Sequence, residues 1–291
     1  MAIFYRSLSI VTWLFFITAA PPLSAGDRSM NTFTNKPLWE LGISANLASI
    51  PLYRGSGDDK LYALPLPYLI YRGRFIQSDR DGVRGVFYSS DHFETTLSGW
   101  GNPPVDDDET AREGMGDLDA MGELGPAVRW YPFKRRADKR LYLQTTARTI
   151  FSVGLPDDLR MHHRGYRLAA ALYYRDEAPA GHLSWKWGAS LGIDFTDSQY
   201  NDYIYGVPDQ YAGKLRPAYQ AGGGYAGAMA AAYLIRKLTD TLSFAIYTRM
   251  DNTSGAVYES SPLVETSNNV LMGATLIWKL KESQRPAPTI K

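Results

Sequence analysis

The chain has 291 residues, with 31 Lys+Arg against 30 Asp+Glu and no cysteine. This balance excludes the basic field of a nucleic-acid binder. A secreted chain without cysteine relies on hydrogen-bond closure and packing in place of disulfides. Tyrosine (20), tryptophan (7) and glycine (26) are abundant, a composition that suits aromatic girdles and tight strand contacts.

The N-terminus reads as a signal peptide over residues 1–25. Arg6 supplies the positive charge and Leu8 to Ala20 the apolar stretch, and Leu23-Ser24-Ala25 precedes Gly26, which places cleavage between Ala25 and Gly26. The apolar run is short for a spanning helix. Residues 26–37 form a polar periplasmic leader, and the patterned region occupies 38–280.

Within that region apolar and polar residues alternate in segments of about ten. Leu38 to Ser49 places Trp39, Leu41, Ile43, Ala45 and Leu47 on one face. Leu61 to Arg72 carries Pro65 and Pro67, which remove two ladder donors and predict a bulged or poorly paired strand. Arg74 to Ser78 and Val83 to Tyr88 form a short pair about Asp81-Gly82, a tight-turn signal. His92 to Gly101 alternates, and an acidic loop from Asn102 to Ala120 follows. Met121 to Phe133, a basic turn from Lys134 to Lys139, and Arg140 to Ser152 come next. After the loop 153–163 lie Arg164 to Arg175 and then His182 to Phe195, the clearest alternation in the chain, with Trp185, Trp187, Leu191, Ile193 and Phe195 on one side. A tyrosine-rich loop spans Thr196 to Pro217. Ala218 to Leu234 alternates weakly, and a buried helix over Ala226 to Ile235 is a rival there. Leu242 to Met250 and Val270 to Leu280 complete the set, and a polar tail, 281–291, remains.

The expectation is an all-β fold: an antiparallel transmembrane β-barrel of about twelve strands, or ten if the short pair is not real. Long connections follow strands one, five, seven, nine and eleven, and short ones lie at the other end. Outer-membrane barrels sort their loops in this way, with short periplasmic turns and long external loops, whereas a soluble sandwich has no reason to. Lipid offers no partner to a free backbone donor, so a sheet crosses a bilayer only when closed. The outward face is then apolar. The inward face carries Glu40, Glu94, Glu123, Arg129, Arg148, Arg167, Lys186, Asp194, Arg249 and Lys279. These charges either pair across the lumen and plug it or line a narrow wet pore.

Candidates for chemistry are sparse. His182 and Ser184 lie two apart on one strand and resemble the dyad of outer-membrane phospholipase A, but the Asn-Gly that follows the serine there is Trp185-Lys186 here. The pair also lies at the periplasmic end. His162-His163, beside Asp157 and Asp158, has poor spacing for a metal, because adjacent residues on an extended chain point apart. The acidic loop Asp106 to Asp119 lacks the fixed spacing of a calcium loop. No catalytic residue, cofactor site or metal site is assigned.

Two loop stretches carry a resemblance. Ile50-Pro51-Leu52-Tyr53-Arg54-Gly55-Ser56 follows the first strand, and Ser198-Gln199-Tyr200-Asn201-Asp202-Tyr203-Ile204-Tyr205-Gly206-Val207 sits in a late loop. Their order and spacing resemble the MipA/OmpV family, the MltA-interacting proteins of Gram-negative outer membranes. The motif positions are Pro51, Tyr53, Gly55, Ser56, Ser198, Tyr200, Tyr203, Tyr205, Gly206 and Val207. The resemblance implies an outer-membrane location among lipids, no established catalytic site, and a scaffold that links a lytic transglycosylase to a murein polymerase in cell-wall organisation. The motif residues also admit a structural reading: glycines for turns, and tyrosines, with Tyr211, that anchor an external loop against the rim. The periplasmic turn Lys134 to Lys139, with four basic residues and one acidic, is a candidate partner contact. A channel or solute-binding barrel that uses the lumen charges is the alternative, and a lipid hydrolase at His182 and Ser184 a third reading.

Overall fold

The computed structural model describes residues 36–79, 82–107, 111–134, 139–154, 160–176 and 185–288. Twelve strands form one closed antiparallel barrel: β1 (Trp39–Pro51), β2 (Asp59–Arg72), β3 (Ile76–Asp79), β4 (Gly82–Ser89), β5 (Phe93–Asn102), β6 (Ala120–Trp130), β7 (Lys139–Gly154), β8 (Arg160–Asp176), β9 (Trp185–Thr196), β10 (Gly224–Lys237), β11 (Leu242–Asn252) and β12 (Asn268–Glu282). The short pair is real, so the count is twelve and not ten. The segment Ala226 to Ile235 is strand, part of β10, and not a buried helix. Among the described residues no helix is long and apolar enough to cross a membrane.

Alternation decides which side chains face lipid. On β1, Leu41, Ile43 and Leu47 are exposed outward, while Ser44 and Ala48 are buried inward. On β9, Trp187, Leu191, Ile193 and Phe195 face out, and Ser190, Asp194 and Thr196 face in. Outward aromatics mark both ends of the wall. Tyr174 packs on Trp187 at one end and Phe195 on Tyr225 at the other, with ring centroids 5.1 and 5.9 Å apart. Such girdles sit at the two water–lipid boundaries.

The strand ends joined by 73–75, 90–92, 131–138, 177–184 and 238–241 lie at one end, with the start of β1 and the end of β12. The strand ends joined by 52–58, 103–119, 155–159, 197–223 and 253–267 lie at the other, where 103–119, 197–223 and 253–267 are longer than every connection of the first end. The connection after β7 is shorter than the sequence suggests, because β7 runs on to Gly154 and β8 starts at Arg160. The ladder also continues past Leu280. Ser283 N–H donates to the Trp39 carbonyl at 2.9 Å, Leu38 N–H to Arg285 at 2.8 Å, and Pro37 bridges to Pro286.

The wall is uneven. β7 and β8 pair from Lys139↔Asp176 to Gly154↔Arg160. β2 pairs with β1 along its whole length, but among the described residues it meets β3 only at Tyr71↔Ser78 and Arg72↔Gln77. Among the described residues β4 meets β5 only between Glu94 and Leu97.

A plugged, arginine-lined lumen as candidate functional site

The inward side chains form three layers along the lumen. At the periplasmic end, inward positions of the strands bring large rings together. Tyr142 lies between Tyr131 and Tyr173, with centroids 5.2 and 5.0 Å away, and Arg129 and Arg175 each lie 5.3 Å from the Tyr142 ring. Arg175 is 2% exposed. A guanidinium held against an aromatic face is stabilised by the ring quadrupole. Tyr233 and Tyr247 form a second inward cluster on β10 and β11, and their rings occupy the space that a side chain at Gly188 or Gly273 would need.

The middle layer is charged. Glu123, with its side chain 1% exposed, lies 3.5 Å from Arg148 and 3.3 Å from Arg167. Glu94 and Arg129 pair at 3.2 Å, and Arg129 Nε also donates to Gln144 at 2.7 Å. Asp251 binds Arg249 at 2.8 Å. A cavity of about 110 Å³ lies among these groups, lined by Arg84, Arg129, Arg148, Arg167 and Arg249 with Asp194 as the carboxylate. Of the remaining sequence-assigned charges, Glu40 pairs with Arg72 and Lys279 with Glu282 near the periplasmic rim. Lys186 occupies an inward position low on β9.

The outer layer is built by loops. The tyrosine-rich connection contains α1 (Ser198–Tyr205), where a loop is expected, followed by a short 3-10 turn (Asp209–Tyr211). Asp197 caps α1 by accepting the Tyr200 N–H at 3.1 Å. Its carboxylate comes against Gly165, which has φ +123° and where a Cβ would lie 2.1 Å from Asp197 Oδ1, so glycine is required there. Thr196 donates to Asn201 Oδ1 at 2.6 Å, and Asn201 donates to the Gly222 carbonyl at 2.7 Å, which folds the connection back over the mouth.

The two motif stretches meet in this layer. Tyr53 and Tyr205 pack edge to face at 6.2 Å, and Tyr205 stacks on Tyr258 at 3.7 Å. The Tyr205 hydroxyl donates to the Arg54 carbonyl at 2.9 Å, and the Tyr53 hydroxyl to the Leu263 carbonyl at 2.8 Å. Gly55, with φ +95°, donates its N–H to Asn269 Oδ1 at 2.6 Å, and Asn269 Nδ2 donates to the buried Ser56 carbonyl at 2.8 Å. Pro51 ends β1 opposite Asp59. Ser198 opens α1, the Gly206 N–H caps its end on Asp202, and Val207 pairs with Tyr219. Tyr200 accepts from Arg167 at 3.1 Å and Tyr203 from the Asp119 N–H at 3.0 Å. Tyr200 and Tyr205 are therefore buried inside the mouth, while the Tyr211 position lies on the 3-10 turn and is not buried. Rim anchoring by all four tyrosines is corrected to burial in the lumen for these two, because α1 turns them inward.

Arg54, which no sequence pattern singles out, pins this layer to the wall. Its Nη2 lies 2.6 Å from Asp194 and 2.8 Å from Asp251. Burial works against its charge, but the two carboxylates outweigh burial and hold the guanidinium protonated far above its ordinary range. Burial pushes the phenols of Tyr53, Tyr205 and Tyr258 above the ordinary tyrosine value, so all are neutral donors.

The chemical candidates stand apart. His162 and His163 are exposed on the upper part of β8, and His163 packs on Tyr166. Asp157, Asp158, His182 and Ser184 fall outside the described residues, as do the signal cleavage site at Ala25 and Gly26 and residues 135–138 of the basic turn. Among the described residues no group of three His, Cys, Asp or Glu converges as a metal site would.

A family model described as MltA-interacting protein MipA matches residues 41–280, which is the barrel from β1 to β12. The chain belongs to the MipA family. Outer membrane protein Omp26La of Vibrio anguillarum is 27% identical over 90% of this chain and 97% of the relative. Outer membrane protein OmpV of Vibrio cholerae serotype O1 is 26% identical over the same shares. Among solved structures, a bacterial polysaccharide outer membrane secretin shares 9% identity over 84% of this chain and 99% of that chain, with a TM-score of 0.36. This MipA-family chain is an outer-membrane β-barrel, and its short turns face the periplasm.

Proposed function

We propose that this MipA-family barrel is a non-enzymatic structural scaffold, which anchors a lytic transglycosylase, and through it a murein polymerase, to the inner side of the outer membrane. The observation that carries this reading is the crowded lumen. A tyrosine-lined end, a charge-paired middle layer around a small cavity and a loop plug at the mouth crowd the lumen that a through-channel would need. The family description, an MltA-interacting protein, supplies the class of partner. The basic turn at the periplasmic rim supplies a surface, with Lys134 and Lys139 exposed beside Asp91 and Asp176.

The test has two arms. Replacing residues 134–139 with Gly/Ser should reduce recovery of a transglycosylase with the affinity-tagged barrel by at least tenfold and leave the barrel's heat-modified gel mobility unchanged. In planar bilayers the unaltered barrel should give no steady ion conductance. Unchanged recovery with a large steady conductance would replace the scaffold with the channel reading.

A further inference from the structure

The unequal wall leads to a second site. Above the β3–β4 hairpin, residues Asp59–Ile70 of β2 and Ser98–Asn102 of β5 have no strand partner on their facing edges among the described residues. Two strands separate β2 from β5, so three ladder spacings, about 14 Å, divide them at the level of the hairpin. The Lys60–Asp106 ion pair, 3.2 Å, crosses the top of this gap, and the hairpin, where Arg84 Nη2 donates to Gln77 at 3.0 Å, forms its sill.

Three features of the gap select what it admits. First, the β2 edge resists strand addition. Pro65 and Pro67 sit opposite Ala45 and Ile43, and a proline fits a ladder only where no donor is asked of it. Their nitrogens therefore face the gap, and that edge lacks two of the donors another strand would use. Second, β2 is apolar on both faces. Leu61, Ala63 and Leu69 face out, while Leu64, Leu66 and Ile70 face in. The inward face of β9, with Ser190 and Asp194, is polar by contrast. Third, Ser98, Gly99 and Trp100 of the unpaired β5 edge are themselves part of the lining of the arginine-rich cavity. Arg84, Arg129, Arg148, Arg167 and Arg249 of the cavity, with Arg54 directly above it, outnumber the four carboxylates Glu94, Glu123, Asp194 and Asp251.

We propose that the gap between β2 and β5 is a lateral window through which an anionic amphiphile passes from the outer-membrane lipid into the arginine-lined cavity, its apolar chain against Leu64 and Leu66 and its head among the guanidiniums. The excess of positive charge fits a carboxylate or phosphate head, and the apolar inner face of β2 fits the chain. Entry from the side also fits a barrel whose lumen is crowded at both ends. This binding site is independent of the scaffold role, and either can fail without the other.

The test uses the full chain reconstituted in phosphatidylcholine vesicles, with palmitate that carries a diazirine on its chain as probe and the matching long-chain alcohol as the neutral control. Crosslinked residues are read by peptide mass spectrometry. Palmitate should label the inward Leu64, Leu66 and Trp100, whereas the alcohol should label only outward residues such as Leu61 and Phe87. Arg84→Gln combined with Arg249→Gln should lower the inward labelling at least fivefold and spare the outward labelling. Leu66→Trp, which fills the window and keeps every arginine, should do the same, and heat-modified gel mobility verifies the fold of both variants. Dodecyl phosphate that competes extends the head to phosphates, and failure to compete narrows it to carboxylates. Inward residues that stay unlabelled by palmitate, equal inward labelling by the alcohol, or full displacement by inorganic phosphate alone would each overturn the proposal.

Discussion

Both ends of the lumen are closed by tyrosines, but the two closures are built differently. The periplasmic floor is set by side chains on strands, Tyr142 on β7 and Tyr173 on β8 with Arg175 against them, joined by Tyr131 one residue past the end of β6. Its positions follow from the register of the wall, and no loop is needed. The external plug consists of loop residues that meet only in the folded barrel: Tyr53, Tyr205 and Tyr258 come from three different connections. A closure made by strands is as rigid as the ladder behind it. One made by loops depends on a few specific polar contacts, and in this barrel those run through Arg54 and Asn269. The difference teaches that the floor belongs to the fold, while the plug is a separate layer laid on it and can be disturbed by itself.

That contrast can be sharpened by substitution. Arg54→Ala should have the largest effect, because it leaves Asp194 without its short ion pair and Asp251 with Arg249 alone. Breaking a buried pair from one side costs about 3–5 kcal/mol, and with Arg249 still in place the lower end of that range is expected. Urea unfolding of the vesicle-embedded barrel measures it. Protease cleavage at the external loops should rise while the periplasmic turns stay protected. Asn269→Ala should cost less, about 1–3 kcal/mol, since it leaves the Gly55 N–H and the Ser56 carbonyl without their partner in a buried place. If Asn269→Ala exposed both ends equally to protease, the two closures would not be independent.

The smallest effect concerns pH. Burial raises the phenols of Tyr53, Tyr205 and Tyr258 in the plug above the ordinary value of 10.0. A group that binds its proton more tightly when folded contributes stability in full below its unfolded pKa and loses it as pH rises toward the folded one. The plug should therefore be insensitive to pH below about 10 and loosen above it. Absorbance at 295 nm should show a late-ionising set of tyrosines, and Tyr205→Phe should shrink that set by one while lowering stability by about 1 kcal/mol for the lost bond to Arg54.

How far the sequence reached follows the same division. The strands were legible because period-two alternation survives in β1, β9 and β12, and even the short β3–β4 pair was marked by Asp81-Gly82. The inward charges follow from parity alone, and by the same parity Arg175 and Asp251 could have been found. Pro65 and Pro67 led to the expectation of a bulged or poorly paired β2; no bulge forms, because their nitrogens point away from β1 and the ladder to β1 runs through both, and it is the other edge of β2 that lacks a partner among the described residues. The plug was less legible. In α1, Tyr200 and Ile204 are spaced i, i+4, behind the capping Asp197, but eight residues are too few for helical periodicity to stand out from a polar loop. Arg54 gave no signal, since its partners Asp194 and Asp251 lie far along the chain and only closure of the barrel brings them near.

The seam between β1 and β12 carries a consequence for assembly order. It joins the first strand to the last, from Glu40↔Glu282 to Ser49↔Met272. The contacts of Tyr53 with Leu263, Gly55 with Asn269 and Gly57 with Glu265 all cross that seam. None of them can form on a growing or still-open sheet, because the loop-closure entropy is offset only once the terminal strands are zipped. The outer plug is thus a late event in biogenesis, and sealing of the mouth reports that the cylinder has closed.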